Sequence, residues 1–407
     1  MQCSVRRSCL QEIDYTHPSL AKVLKSTFGV VAYEEHILQI CEAFADMPAG
    51  RADMLRRALV KQKAAEVEKM RLEFWRNAER IGRTQPEIET VWGLLFGFQG
   101  YAFCRAHSTA YGVEAYQAAH LKRYHPAEFL AAVLTNEKGF YSPLAYTLEA
   151  RRLGIGFLSP DVNASRDGFY PEYRDGKAFL RVPVWKVKDV TEKVIEKVRV
   201  ERQRRPFDSL TDFYNRVVPT KAEAQNLIRA GAFDSFGQPR TTQFWHVQQL
   251  ADWPHEGAQK MLFASVDREL RVPATDLTEP SLMDRLKDEQ ELIGFTVGGH
   301  PLDLFPSIAW DKYCPIAELG RHFGERVKIC GLSFADRIAY QEDGQPMKFI
   351  SICDYSGFAE TELFATVYKA YGMETIKSPL IELEGFVEPF ENKKGCTLRV
   401  LRVTQPS

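Results

Sequence analysis

Two segments carry side chains whose types and spacing suit the handling of phosphate. In DMLRRALVKQK, Arg57 and Lys61 stand at i, i+4 and Arg56 and Lys63 at i, i+7, so a single helix would present two adjoining basic stripes. Such groups grip a triphosphate or a run of backbone phosphates through charge-assisted hydrogen bonds, and each arginine adds a planar fork that meets two oxygens at once. In QGYAFCRAHSTAYGVEAYQ, Arg105 precedes a helix whose opening turns carry His107, Ser108 and Tyr111. His107 and Tyr111, four apart, share a face suited to stacking on a base or bonding a phosphate. The same spacing serves ordinary packing, and a basic stripe serves ordinary solvation, so neither segment fixes a function alone.

Other chemistries find less support. Metal-assisted phosphoryl transfer needs carboxylates that hold two cations. No Asp-x-Asp pair occurs, and Glu-x-Glu pairs such as Glu66/Glu68 and Glu87/Glu89 fall in helical stretches where they read as solvated charge. The eight cysteines, Cys3, Cys9, Cys41, Cys104, Cys314, Cys330, Cys353 and Cys396, form no CxxC pair. Reduced thiols are expected, with no metal or cofactor held by this chain.

The elements that must position these residues fit a chain of 407 residues, room for two to four domains. Hydrophobic residues make up 45% and charged residues 26%, which disfavours both disorder and a membrane protein. No apolar run approaches a membrane span, and the polar QEIDYTHPS after Arg6 and Arg7 leaves no signal-peptide core, so the cytoplasm is the expected compartment. The net charge of −1 hides two basic islands: Arg51 to Arg83 has ten basic against five acidic residues, and Arg181 to Arg205 nine against four. Nucleic-acid footprints follow such clusters and not the sum.

Helical periodicity dominates to about residue 155, in YEEHILQICEAF, in residues 52–75 read as one helix, in PEIETVWGLLFGF and in PAEFLAAVL, which opens on Pro126. Short β-like runs (KAFLRVPVWKV) lead into two further helical stretches, VTEKVIEKVRVERQRR and KAEAQNLIRAGAF. Residues from Gln238 to about Pro306 read as a linker with a helix near its end. From Val327, five alternating runs separated by turn residues predict a small barrel of OB type, with a β-sandwich edge as the alternative.

The order of several long motifs is more specific. GVVAYEEHILQI, GRADMLRRALVKQK, GFQGYAFCRAHSTAYGVEAYQAAHLKRYHPAEFLAAVLTNE, PFDSLTDF, LIRAGAFDSFG, LIGFTVGGHPLD and DGQPMKFISICD together resemble, from about Pro18 to Val403, the C-terminal half of the bacterial DNA polymerase III alpha subunit. The resemblance implies a later part of the polymerase fingers at 1–157, a tandem helix-hairpin-helix module at 158–240, a linker with a clamp-binding peptide at 241–310 and an OB fold at 311–407. It also implies that Arg56, Arg57, Lys61, Arg105 and His107 face an incoming deoxynucleoside triphosphate. Cys104, Arg105 and Ala106 replace the family's usual Asn-Lys-Ser, so a fork stands where the family has a lysine. In the first hairpin Asp189 and Thr191 stand where the family tends to have glycines, so Lys186, Lys188, Arg202, Arg204 and Arg205 are expected to carry the DNA-backbone affinity. The second hairpin, LIRAGAFDSFG, keeps Gly231.

By the same resemblance Gln259, Met261, Leu262 and Phe263 fit the peptide that docks on a sliding clamp, with Leu262 and Phe263 as its buried anchors. Phe349, Tyr355, Phe358 and Phe364 are candidates for a base-stacking platform on the barrel, half of them expected in its core. The family's palm, its catalytic aspartates and its Mg²⁺ are expected only in a complete polymerase, with a separate palm-containing chain as partner. A stand-alone, non-catalytic DNA- and clamp-binding adaptor is the alternative. Two outcomes are expected. The chain with Mg²⁺ and no other protein should not extend a primer, and any nucleotide incorporation would refute this. Leu262→Ala combined with Phe263→Ala should abolish clamp binding in a surface-immobilised clamp assay, and unchanged affinity would remove the peptide from the interface.

Overall fold

The computed structural model describes residues 13, 15–97, 103–139, 141–252, 278–341, 343–390 and 395–406. The chain forms two compact units, Met1–His120 and Leu121–Ser407. In the first, short helical turns over residues 18–27 precede α1 (Glu34–Ala45), α2 (Ala49–Val60), α3 (Ala64–Arg80) and α4 (Gln85–Phe96), and α5 (Arg105–Tyr124) begins there. Their apolar stripes converge on Phe44, which stacks on Phe74 at 5.8 Å, with Trp92 tilted against Phe74 at 5.5 Å. Leu24, Ile37, Ile40, Leu55, Leu59 and Met70 complete this core. A capping box between Thr84 and Glu87 starts α4.

The helix expected over residues 52–75 is broken. Gln62 adopts a left-handed backbone, and the amides of Gln62 and Lys63 turn back to the carbonyls of Leu59 and Ala58. This closes the end of α2 without a glycine. Lys63 therefore opens α3 and pairs with Glu66 at 2.8 Å, away from the stripe that it was expected to extend.

In the second unit α6 (Pro126–Asn136) and α7 (Pro143–Arg152) precede β1 (Gly156–Leu158), β2 (Tyr170–Arg174) and β3 (Lys177–Arg181), a sheet of order β1-β3-β2. Five helices follow: α8 (Glu192–Arg204), α9 (Leu210–Val217), α10 (Lys221–Arg229), α11 (Arg240–Asp252) and α12 (Leu282–Leu292). All of these share one core, in which Leu130 and Leu134 of α6 lie with Leu180, Phe213, Phe233 and Phe295. Residues 126–152, expected with the fingers, are thus packed into the hairpin module, because their apolar stripe is buried against it.

Two charged groups fasten the segment after α12. Glu289 accepts the amides of Val297 and Gly298 at 2.7 and 3.0 Å, and Arg151 donates to the carbonyls of Thr296 and Val297 at 2.8 and 3.2 Å. Phe295 on one side enters the helical core, and Leu302 on the other packs with Leu148, Cys330, Leu332, Cys353 and Leu380 beneath the barrel.

The last part is a closed barrel of β4 (Arg326–Tyr340), β5 (Pro346–Cys353), β6 (Phe358–Leu363), β7 (Leu380–Pro389) and β8 (Cys396–Thr404), with α13 (Ala365–Tyr371) between β6 and β7. The order β4-β5-β6-β8-β7, closed by β4 on β7 and parallel only between β6 and β8, is that of an OB fold. Its interior is aliphatic, with Ile329, Ile350, Ile352, Leu363, Leu383, Leu398 and Val400. The ladder between β7 and β8 shifts register at Glu384/Gly385, and a Cβ on Gly385 would lie 2.2 Å from the Arg399 carbonyl oxygen. Gly385→Ala should therefore destabilise the protein by about 1–3 kcal/mol through forced backbone movement, read as a lowered midpoint in urea denaturation.

Candidate nucleic-acid interface

Two consecutive carboxylates at the start of α1 bring the two phosphate-suited segments to one place. Glu34 pairs with Arg56, whose Nε also donates to Asp53 at 2.9 Å. Glu35 accepts the Arg105 amide on both oxygens at 2.9 Å and so caps α5. Burial would raise the Glu35 pKa, but hydrogen bonds from Arg105, Cys104 and Ala106 prevail and hold it below the usual carboxylate range.

Exposure sorts the cations. Arg56 is only 22% exposed and its charge is engaged within the fold, whereas Arg57 is 67% exposed and touches Asp53 from one side at 2.8 Å. Lys61 is exposed, with no carboxylate within 4 Å among the described residues. The Arg105 guanidinium lies over the Tyr33 ring at 5.8 Å and lines an open pocket of about 850 Å³ with Lys22, Lys25, Ser26, Gln39 and Glu42. Lys22 and Lys25 escaped the sequence reading; their only signal is a pair of lysines three apart in a short turn. His107 and Tyr111 do meet, with ring centroids 4.4 Å apart, and no side chain of α5 is buried.

In the hairpin module the arginines of the second basic island are largely engaged. Arg202 donates to the carbonyls of Val162 and Ser165, Arg204 pairs with Glu201 at 2.6 Å, and Arg205 pairs with Asp208 and Asp212. Lys186 pairs with Glu137. Among the described residues Lys188 has no carboxylate within 4 Å, nor have Lys193 in the first turn of α8 and Lys221 in that of α10, neither of which was expected; all three are exposed.

The turns Val187–Thr191 before α8 and Val218–Thr220 before α10 each pass through a left-handed residue, Asp189 and Val218. LIRAGAFDSFG, read as the second hairpin, spans the end of α10 and the turn towards α11. Gly231 ends α10: it is buried, its amide donates to the Ile228 carbonyl, and a Cβ there would lie 2.3 Å from the Arg240 guanidinium.

Glu223 joins these two turns. One carboxylate oxygen accepts the amide and hydroxyl of Thr191 at 3.0 and 2.6 Å, and the other those of Thr220 at 2.8 and 2.7 Å. Burial alone would raise its pKa, but these four bonds outweigh burial and hold it down at about 2.

On the barrel none of the four candidate aromatics is buried, against the expectation that half would be core, because aliphatic side chains fill the interior. Phe349 lies under Arg337 at 4.4 Å and Phe364 under Arg399 at 5.1 Å. Strand register sets Arg326, Phe386, Arg399, Glu362, Phe349 and Arg337 directly opposite one another in succession across five strands. Tyr355 instead donates to Asp303 at 2.7 Å, and Phe358 rests on Phe334.

Gln259, Met261, Leu262 and Phe263 lie outside the described residues. Among the described residues no group of three or more His, Cys, Asp or Glu side chains is placed to hold a metal ion. No described helix is long and apolar enough to cross a membrane.

Fold and residues together define a class: a polypeptide of polymerase-finger, helix-hairpin-helix and OB-type modules. Residues 4–82 match the bacterial DNA polymerase III alpha subunit finger domain, and residues 154–243 match the helix-hairpin-helix motif. Over 93% of its length the chain is 32% identical to the DNA polymerase III subunit alpha of Treponema pallidum, covering 33% of that protein. It is 31% identical over 96% of its length to that of Thermus aquaticus, covering 32%, and 29% identical over 90% to an error-prone DNA polymerase of Symbiobacterium thermophilum, covering 38%. The chain belongs to the DNA polymerase III alpha family and spans about a third of the length of these relatives.

The low pKa of Glu223 makes a pH dependence calculable in sign. A carboxylate depressed from 4.5 to about 2 stabilises the fold fully above about pH 4.5, and this contribution fades as pH falls towards 2. Glu223→Gln should therefore melt below the wild type at pH 7, and the gap should narrow between pH 4.5 and 3. A gap independent of pH in thermal melts would refute the ionised role.

Proposed function

We propose that this chain is the nucleotide- and DNA-facing part of a DNA polymerase III alpha-like subunit, acting in template-directed DNA synthesis with a palm supplied elsewhere. The observation that carries this reading is the convergence on the start of α1. Glu34 and Glu35 seat the arginine helix and the Arg105 turn side by side, which leaves Arg57, Lys61, Arg105 and His107 exposed for a triphosphate. Cations so placed stabilise phosphate charge without forming covalent bonds, the role that phosphoryl transfer asks of groups around the leaving phosphates. Lys22 and Lys25 extend the same positive lining around Arg105.

The hairpin module would hold the duplex by its sugar–phosphate backbone, a sequence-independent grip suited to an enzyme that moves along DNA. The Arg/Phe row on the barrel suits a single strand through stacking and charge. The segment Gln259 to Phe263 would tether the assembly to a sliding clamp. Together with the palm-bearing polypeptide, Arg57→Ala and Arg105→Ala should each raise the nucleotide KM roughly tenfold in primer extension, the loss of one charge-assisted hydrogen bond. Unchanged KM in both would remove these residues from the nucleotide site.

A further inference from the structure

Glu223 occupies an unusual position for a capping residue. It completes an ordinary box with Thr220 at the start of α10, yet its second oxygen is given wholly to Thr191, 32 residues earlier at the start of α8. The carboxylate is 4% exposed, while both threonines lie at the surface. Asn226 adds a second tie, donating to the Lys188 carbonyl at 3.1 Å. Lys188, Lys193 and Lys221, which have no carboxylate within 4 Å among the described residues, all lie within three residues of these two capping threonines.

We propose that Glu223 is a positioning residue that locks the starts of α8 and α10 together, so that Lys188, Lys193 and Lys221 meet one DNA backbone as a single surface. The inference rests on the reading that this module binds duplex DNA. When two contact points are rigidly joined, the second engages at a high effective concentration once the first has bound. Freed from each other, they bind as separate weak contacts. Glutamine cannot replace the carboxylate: each oxygen accepts two donors, so the amide nitrogen of Gln would face an amide and a hydroxyl wherever it pointed.

The test measures the affinity of the full chain for a 30-base-pair duplex, by fluorescence anisotropy across a salt series. Glu223→Gln and Thr191→Val should each weaken binding about tenfold at 100 mM salt and flatten the slope of log K against log salt by about one phosphate contact or more. Thr191→Ser, which keeps both donors, should match the wild type. Thermal melts identify variants that remain folded; if Glu223→Gln does not fold, the Val and Ser pair at position 191 carries the comparison. Folded Glu223→Gln or Thr191→Val chains with wild-type affinity and slope would overturn the lock while leaving DNA binding intact. A wild-type chain that does not bind the duplex would overturn both.

Discussion

The second unit depends on a buried carboxylate and a half-buried guanidinium closing on one short segment. Arg151 and Glu289 satisfy the peptide groups of Thr296, Val297 and Gly298, and burial presses on both, lowering the guanidinium pKa and raising that of the carboxyl. A buried charge is tolerated only where hydrogen bonds replace its water. Here each charge takes its replacement from backbone, so the segment that leaves the helical core at Phe295 is fixed before it reaches Leu302 at the foot of the barrel. Removing either group would leave the other buried beside peptide groups that have lost a partner.

The distribution of the remaining charge follows the same rule of local satisfaction. Counting residues places positive islands at 51–83 and 181–205, but within them Arg51, Arg56, Arg71, Arg199, Arg204 and Arg205 are all engaged by carboxylates. Arginine, with five donors in a rigid fork, is readily taken up by its own fold. Lys193 and Lys221, in the first turns of α8 and α10, are left facing solvent. A backbone-binding surface here would thus draw on fewer free cations than the sequence excess suggests.

What was legible in the sequence was what depends on short-range pattern. The five barrel strands follow from alternation between turn residues, and each expected run coincides with a strand. The aromatic residues misled because alternation gives two faces but not which one closes inward; β-branched and leucine side chains took the inside. The break at Gln62 had no glycine to announce it, and α6 and α7 read as helices without revealing the core they enter. Glu223 was half-legible. Thr-x-x-Glu is a visible capping box, but nothing local marks an oxygen committed to a threonine 32 residues away.

The left-handed turns at Asp189 and Val218 separate two duties that one glycine usually performs in such hairpins. A glycine both permits the backbone turn and leaves room for a phosphate to reach the peptide. Here the turn is made by ordinary L-residues, whose strain is held by the surrounding contacts. If this module meets DNA as proposed, approach to the polyanion would pass from peptide amides to long flexible ammonium side chains. On the proposed reading, long side chains anchored beside the turns would let the module follow a sliding helix by re-reaching, not by letting go.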